Sequence, residues 1–126
     1  ATLTLAVDYG GQWDVVEAAK IFAGEVASGR TTLDEITPER FERALSLGDL
    51  PAPDLCIRTG GDARISNFML WQMAYAEFYF CDVLWPDFDA AALTLAIEDF
   101  QSRERRFGLR GGDDALVQSL DAAGNA

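Results

Sequence analysis

Short apolar runs that end at glycine or proline, each followed by a longer stretch of three- and four-residue apolar spacing, constrain this chain more than any other property does. A run of that kind buries in a sheet, and the spacing after it lays a helix back across the sheet, so the pattern predicts an α/β fold with a mostly parallel sheet flanked by helices. The first run covers residues 3–7 and closes at Tyr9-Gly10-Gly11, whose glycines permit a tight turn. Trp13, Val16, Ala19, Ala23 and Val26 then recur at helical spacing, with Gly29 as the stop. Thr37-Pro38 predicts a second helix, because threonine caps free amides and proline at the first helical position loses no hydrogen bond; Phe41, Ala44 and Leu45 should face inward.

After Pro51 and Pro53, Asp54-Leu-Cys-Ile57 reads as a second buried strand. Ser66 is placed to cap a helix over residues 67–76 that is apolar nearly all round. Residues 78–81 are strand-like by aromatic content. Asp89 is placed to cap a last helix whose inner stripe is Leu93, Ile97 and Phe100, and whose end carries Arg103, Arg105 and Arg106 as dipole partners. Three strands are few for such a sheet, and the chain opens directly in strand-like alternation, so it is expected to start mid-fold. Residues 109–126 read as a flexible tail.

Charge and composition remove several function classes. With 21 acidic against 10 basic residues the net charge is −11, which opposes the general attraction to phosphate backbones that nucleic-acid binders use. An anion site must therefore be local. The chain has no histidine, so it builds neither a Ser-His-Asp triad nor a His-ligated zinc site. Cys56 and Cys81 lack Cys-x-x-Cys spacing and suit a reducing cytoplasm as packing residues. No apolar stretch approaches the roughly 20 residues that cross a bilayer.

The segment Ile57-Arg58-Thr-Gly60-Gly61-Asp62-Ala63-Arg64-Ile-Ser66-Asn67 joins the end of a strand to the start of the next element, where open α/β sheets place ligands. Two arginines six residues apart, two glycines, a hydroxyl and free helix amides would make a diphosphate cradle. The plain alternative is a turn whose arginines pair with nearby carboxylates. Glu77, set among aromatic residues, needs an arginine or a metal ion beside it; oxygen ligands favour magnesium, and the alternative is a structural pair with Arg58 or Arg64. Tyr9-Gly10-Gly11 ends at the same sheet edge but is by itself only a turn. The aromatics Trp71, Tyr75, Phe78, Tyr79, Phe80 and Trp85 read as core or interface.

The run Asp54-Leu-Cys-Ile-Arg58-Thr-Gly-Gly-Asp-Ala-Arg64-Ile-Ser-Asn, continuing through Glu77 and on to Arg103-Glu-Arg-Arg106-Phe-Gly108, resembles the undecaprenyl diphosphate synthase family of cis-prenyltransferases. So does Asp8-Tyr-Gly-Gly-Gln-Trp-Asp14 upstream. The resemblance implies that residues 1–108 are the C-terminal half of a cis-prenyltransferase catalytic domain. It also implies a homodimeric, magnesium-dependent enzyme that adds isopentenyl diphosphate to an allylic diphosphate such as farnesyl diphosphate, yielding a long undecaprenyl-type lipid carrier. Carried over residue by residue, Arg58, Arg64, Ser66, Gly60, Gly61 and Asn67 would bind the isopentenyl diphosphate headgroup. Glu77 would serve magnesium, and Arg106 with Gly108 would reach the neighbouring subunit's diphosphate. Departures fall at Asp62, Ala63, Asp8 and Gln12, where relatives commonly carry glutamate, a polar residue, asparagine and arginine. The aspartate-bearing loop of the family's first half is not in this sequence, so residues 1–126 alone are expected to be inactive. The alternative is a non-catalytic partner subunit of a heteromeric cis-prenyltransferase.

Overall fold

The computed structural model describes residues 1–103; the expectations for Arg105, Arg106, Gly108 and a tail over residues 109–126 fall outside them. The first helix, α1 (Gly11–Ala27), begins without a cap from its own flank. Its opening amides are met instead by Asn67, whose backbone oxygen accepts from Gly11 N–H at 2.9 Å and whose Oδ1 accepts from Gln12 N–H at 2.8 Å. Gly29, at φ +72, ends the helical run in the left-handed conformation.

The buried face of α1 differs from the predicted stripe. It is Gly11, Asp14, Ala18 and Phe22, whereas Trp13 and Val16 are 55% and 50% exposed. The small residues decide the face, because a Cβ on Gly11 would lie 2.7 Å from Leu70 Cγ. No larger residue admits the chain so close. A 3-10 turn over Leu33–Glu35 leads to α2 (Pro38–Ala44), where the Thr37 hydroxyl accepts from Arg40 N–H at 3.2 Å as its sequence predicts. Phe41 of α2 stacks on Phe22 at 5.7 Å and meets Trp71 at 5.0 Å, tying the two helices to the segment after the loop.

The sheet has two parallel strands, β1 (Leu55–Arg58) and β2 (Glu77–Phe80), in a register that sets Leu55 against Glu77 and Arg58 against Phe80. Helix α3 (Ala90–Ser102) follows, with Asp89 accepting from Ala92 N–H at 2.9 Å, and it packs on β2 with Ala96 fully buried. Leu93 and Ile97, expected on its inner stripe, are 42% and 40% exposed.

Two expected elements are absent from the described residues. Residues 3–7 form no strand and, among the described residues, make no backbone hydrogen bond; Leu3, Leu5 and Val7 are all more than three-quarters exposed, at 84%, 77% and 82%. Alternation alone does not hold a strand, since the ladder needs a partner edge. Residues 67–76 form consecutive turns in place of a helix. Ser66 and Met69 sit at φ +53 and +43, left-handed positions that break a helical run, so Ser66 caps nothing. Of the aromatic residues expected in the core or at an interface, Tyr75 and Trp85 are 70% and 75% exposed and so lie outside the core. Among the described residues no helix is long and apolar enough to cross a membrane.

Candidate functional site

The loop leaving β1 is shaped by its glycines. Gly60 and Gly61 lie at φ +87 and +82, conformations costly for any side chain, and this turn aims both amides at the segment after β2. Gly60 N–H donates to the Val83 carbonyl at 2.9 Å and Gly61 N–H to that of Cys81 at 3.0 Å. The expectation that a helix start at Ser66 offers free amides to a phosphate is thus corrected: no helix begins there, and the amides of the two glycines are bonded at the sheet edge.

What remains of the cradle is its side chains. Arg58, the last residue of β1, donates through Nη1 to Ser66 Oγ at 2.9 Å and to the Arg64 carbonyl, and through Nη2 to Asp62 Oδ2 at 2.9 Å. Arg64 donates to the other oxygen, Asp62 Oδ1, at 2.6 Å. Arg58 is therefore fixed and about a quarter exposed, at 28%, while Arg64 stands 68% exposed with Asp62 as its anchor. The hydrogen bond and charge of Arg64, joined by those of Arg58, hold the Asp62 carboxyl below its usual range. Arginines, hydroxyl and glycines come together as predicted, but in this state the arginines pair with a carboxylate.

Asn67 caps α1 with its side-chain and backbone oxygens. Gly10 serves the same contact, because a Cβ there would crowd Asn67 Nδ2 at 3.0 Å. Glu77 is not brought to the loop. It opens β2 at the level of Leu55, three positions and so roughly 10 Å along the strand from the level of Arg58. Its partner is neither Arg58 nor Arg64 but Arg103, which donates to Glu77 Oε2 at 3.1 Å and to Asp99 Oδ2 at 2.5 Å. Among the described residues no three His, Cys, Asp or Glu side chains gather to hold a metal ion. A lone carboxylate already neutralised by arginine does not fit a resident magnesium ion by itself. Cys56 and Cys81 are free thiols, half-buried, and burial pushes that of Cys56 up, with Arg58 partly opposing.

One buried polar group escaped the sequence reading. Asp14, only 3% exposed, accepts from Ser46 N–H at 2.8 Å, from Tyr9 Oη at 2.8 Å and from Gln72 Nε2 at 3.0 Å. Burial pushes its carboxyl up, yet the bonds from Ser46, Tyr9 and Gln72 outweigh burial and leave it below its usual value. Tyr9 moves the other way, pushed up to about 12 by burial and by its bond to the Asp14 carboxylate. The available signal was spacing: Asp14 shares a helical stripe with Gly11, Ala18 and Phe22, where a surface acid has no place.

The family model described as "Putative undecaprenyl diphosphate synthase" matches residues 1–108. The chain belongs to this prenyltransferase family. It is 57% identical over 106 residues to the ditrans,polycis-undecaprenyl-diphosphate synthase ((2E,6E)-farnesyl-diphosphate specific) of Pseudomonas syringae pv. tomato, covering 84% of this chain and 42% of that protein. It is 58% identical over 107 residues to an isoprenyl transferase of Neisseria gonorrhoeae, covering 85% and 41%. The crystal structure of lavandulyl diphosphate synthase from Lavandula x intermedia, in complex with dimethylallyl diphosphate, superposes with a TM-score of 0.80 at 45% identity, over 82% of this chain and 45% of that one. The chain thus spans less than half the length of the curated relatives it matches. The match extends over Arg106 and Gly108, which lie outside the described residues.

Proposed function

We propose that this chain forms the isopentenyl diphosphate side of a cis-prenyltransferase that extends an allylic diphosphate, farnesyl diphosphate being the candidate, into an undecaprenyl-type polyprenyl diphosphate. The carrying observation is the cluster at the end of β1, where Arg58, Arg64 and Ser66 converge at a sheet edge in a chain of this family. In this reading Arg58, held at the strand end by Ser66 and the Arg64 carbonyl, presents its remaining N–H groups to a phosphate. Arg64 closes over it from solvent, and Ser66 offers its hydroxyl. Fixing the headgroup fixes the alkene behind it, which converts an encounter into a positioned attack on the allylic carbon as that carbon loses its diphosphate.

The rest of the site belongs to the same proposal. Residues 1–108 act as the C-terminal half of the catalytic domain, in a homodimer where Arg106 and Gly108 reach the neighbouring diphosphate. The setting is cytoplasmic, peripheral to the membrane that receives the lipid. Magnesium would offset the charge of the diphosphates, and Glu77, paired here with Arg103, would be a ligand for it only if that pair opened. The 126 residues by themselves turn over nothing. Arg58→Ala in the whole protein is the direct test. Apparent affinity for isopentenyl diphosphate should fall at least tenfold, by the size of one charge-assisted pair, and an unchanged value would rule out the cradle.

A further inference from the structure

The Asp62 carboxylate divides its two oxygens between two guanidinium groups, Oδ2 on Arg58 at 2.9 Å and Oδ1 on Arg64 at 2.6 Å. That is the arrangement a bridging phosphate would adopt. Among the described residues no other carboxylate forms an ion pair with either arginine. We infer that Asp62 is an internal stand-in for the substrate, an anion that closes the ligand-free cradle and must leave before a diphosphate can engage both arginines. This rests on the proposed diphosphate role of the loop and adds to it a competing group belonging to the protein.

The opposite role, in which Asp62 positions the arginines for the ligand, predicts the opposite sign. Two observations decide between them. Arg58 does not depend on Asp62 for its place, because Ser66 Oγ and the Arg64 carbonyl hold the same fork through Nη1. Removing the carboxylate therefore leaves the Arg58 half of the cradle organised. Arg64, 68% exposed, is the arm that Asp62 restrains, and a released arm can follow the ligand. Keeping the carboxylate against the same two guanidiniums would also press like charges together, since a diphosphate brings more than one negative charge of its own. Asp62 has somewhere to go: its side chain is 48% exposed, so an outward rotation meets water.

Asp62→Asn removes the charge at nearly constant shape, and Asp62→Glu keeps it. Isopentenyl diphosphate is titrated by calorimetry into the whole protein at fixed ionic strength, without magnesium. The expected result is binding tightened on the order of tenfold in Asp62→Asn, near-parental binding in Asp62→Glu, and loss in Arg58→Ala. If Asp62→Asn binds equally or more weakly while Arg58→Ala still loses the ligand, the cradle stands and the stand-in role is refuted. If Arg58→Ala binds like the parent, the cradle fails and takes the stand-in with it.

Discussion

Replacing Asp14 by alanine should cost more stability than any other single substitution of a polar residue among the described residues. Its carboxylate takes three hydrogen bonds, from Ser46 N–H, Tyr9 Oη and Gln72 Nε2, and each bond to an ionised acceptor contributes about 1.5–3 kcal/mol. Those contributions do not add fully, because Tyr9 and Ser46 lie near enough to the surface to regain water. Gln72 is only 7% exposed and keeps the Ser46 carbonyl at 3.1 Å and the Tyr9 hydroxyl as acceptors. A net loss of about 3–4 kcal/mol follows. Urea unfolding of the whole protein, followed by fluorescence, reads it directly. The pH dependence provides an independent arm. The Asp14 carboxyl is depressed in the fold, so its contribution is complete above the ordinary carboxylate value and disappears as pH falls through the lowered one. Tyr9 is raised from 10.0 to about 12, so its contribution is complete below about 10 and disappears as pH rises towards about 12. A parent whose stability stays flat across that alkaline range, or an Asp14→Ala variant within 0.5 kcal/mol of the parent by the roughly 10–15% precision of extrapolation, would refute the hub.

Two smaller effects follow from the ends of α1 and α3. Asn67→Ala removes the Oδ1 acceptor of Gln12 N–H and should lower stability by about 1 kcal/mol, with faster hydrogen exchange confined to the first turn of α1. Arg103→Ala breaks the pairs to Glu77 and Asp99, which are about a third exposed; urea unfolding should shift by no more than about 1 kcal/mol, and by less at high salt.

Local chemistry was readable where an element carries its own instructions. Thr37-Pro38 and Asp89 start helices because their side chains reach amides only three residues on, a contact no distant residue can take away. β1 and β2 were readable because a short apolar run beside turn residues has few other uses. The failures share a cause, which is that partners lay far along the chain. Residues 3–7 have strand composition and no neighbouring edge among the described residues. Residues 67–76 have helical composition, but Asn67 is committed to α1 and Met69 to a left-handed turn. In the loop, residue types were legible and pairings were not. Asp62, noted only as a departure, proves to be the anion both arginines hold, and Glu77, assigned to a metal, faces Arg103 from the other end of β2.

The cap at the start of α1 carries a consequence for signalling within the fold. Ser66 touches Arg58, and the next residue, Asn67, carries both acceptors for the first amides of α1. A shift of the arginine fork would reach, through one peptide unit, a helix that begins 47 residues earlier in the chain, from Arg58 back to Gly11. The amides of Gly11 and Gln12 are therefore natural spectroscopic reporters of loop occupancy, although neither touches the ligand in the proposed site.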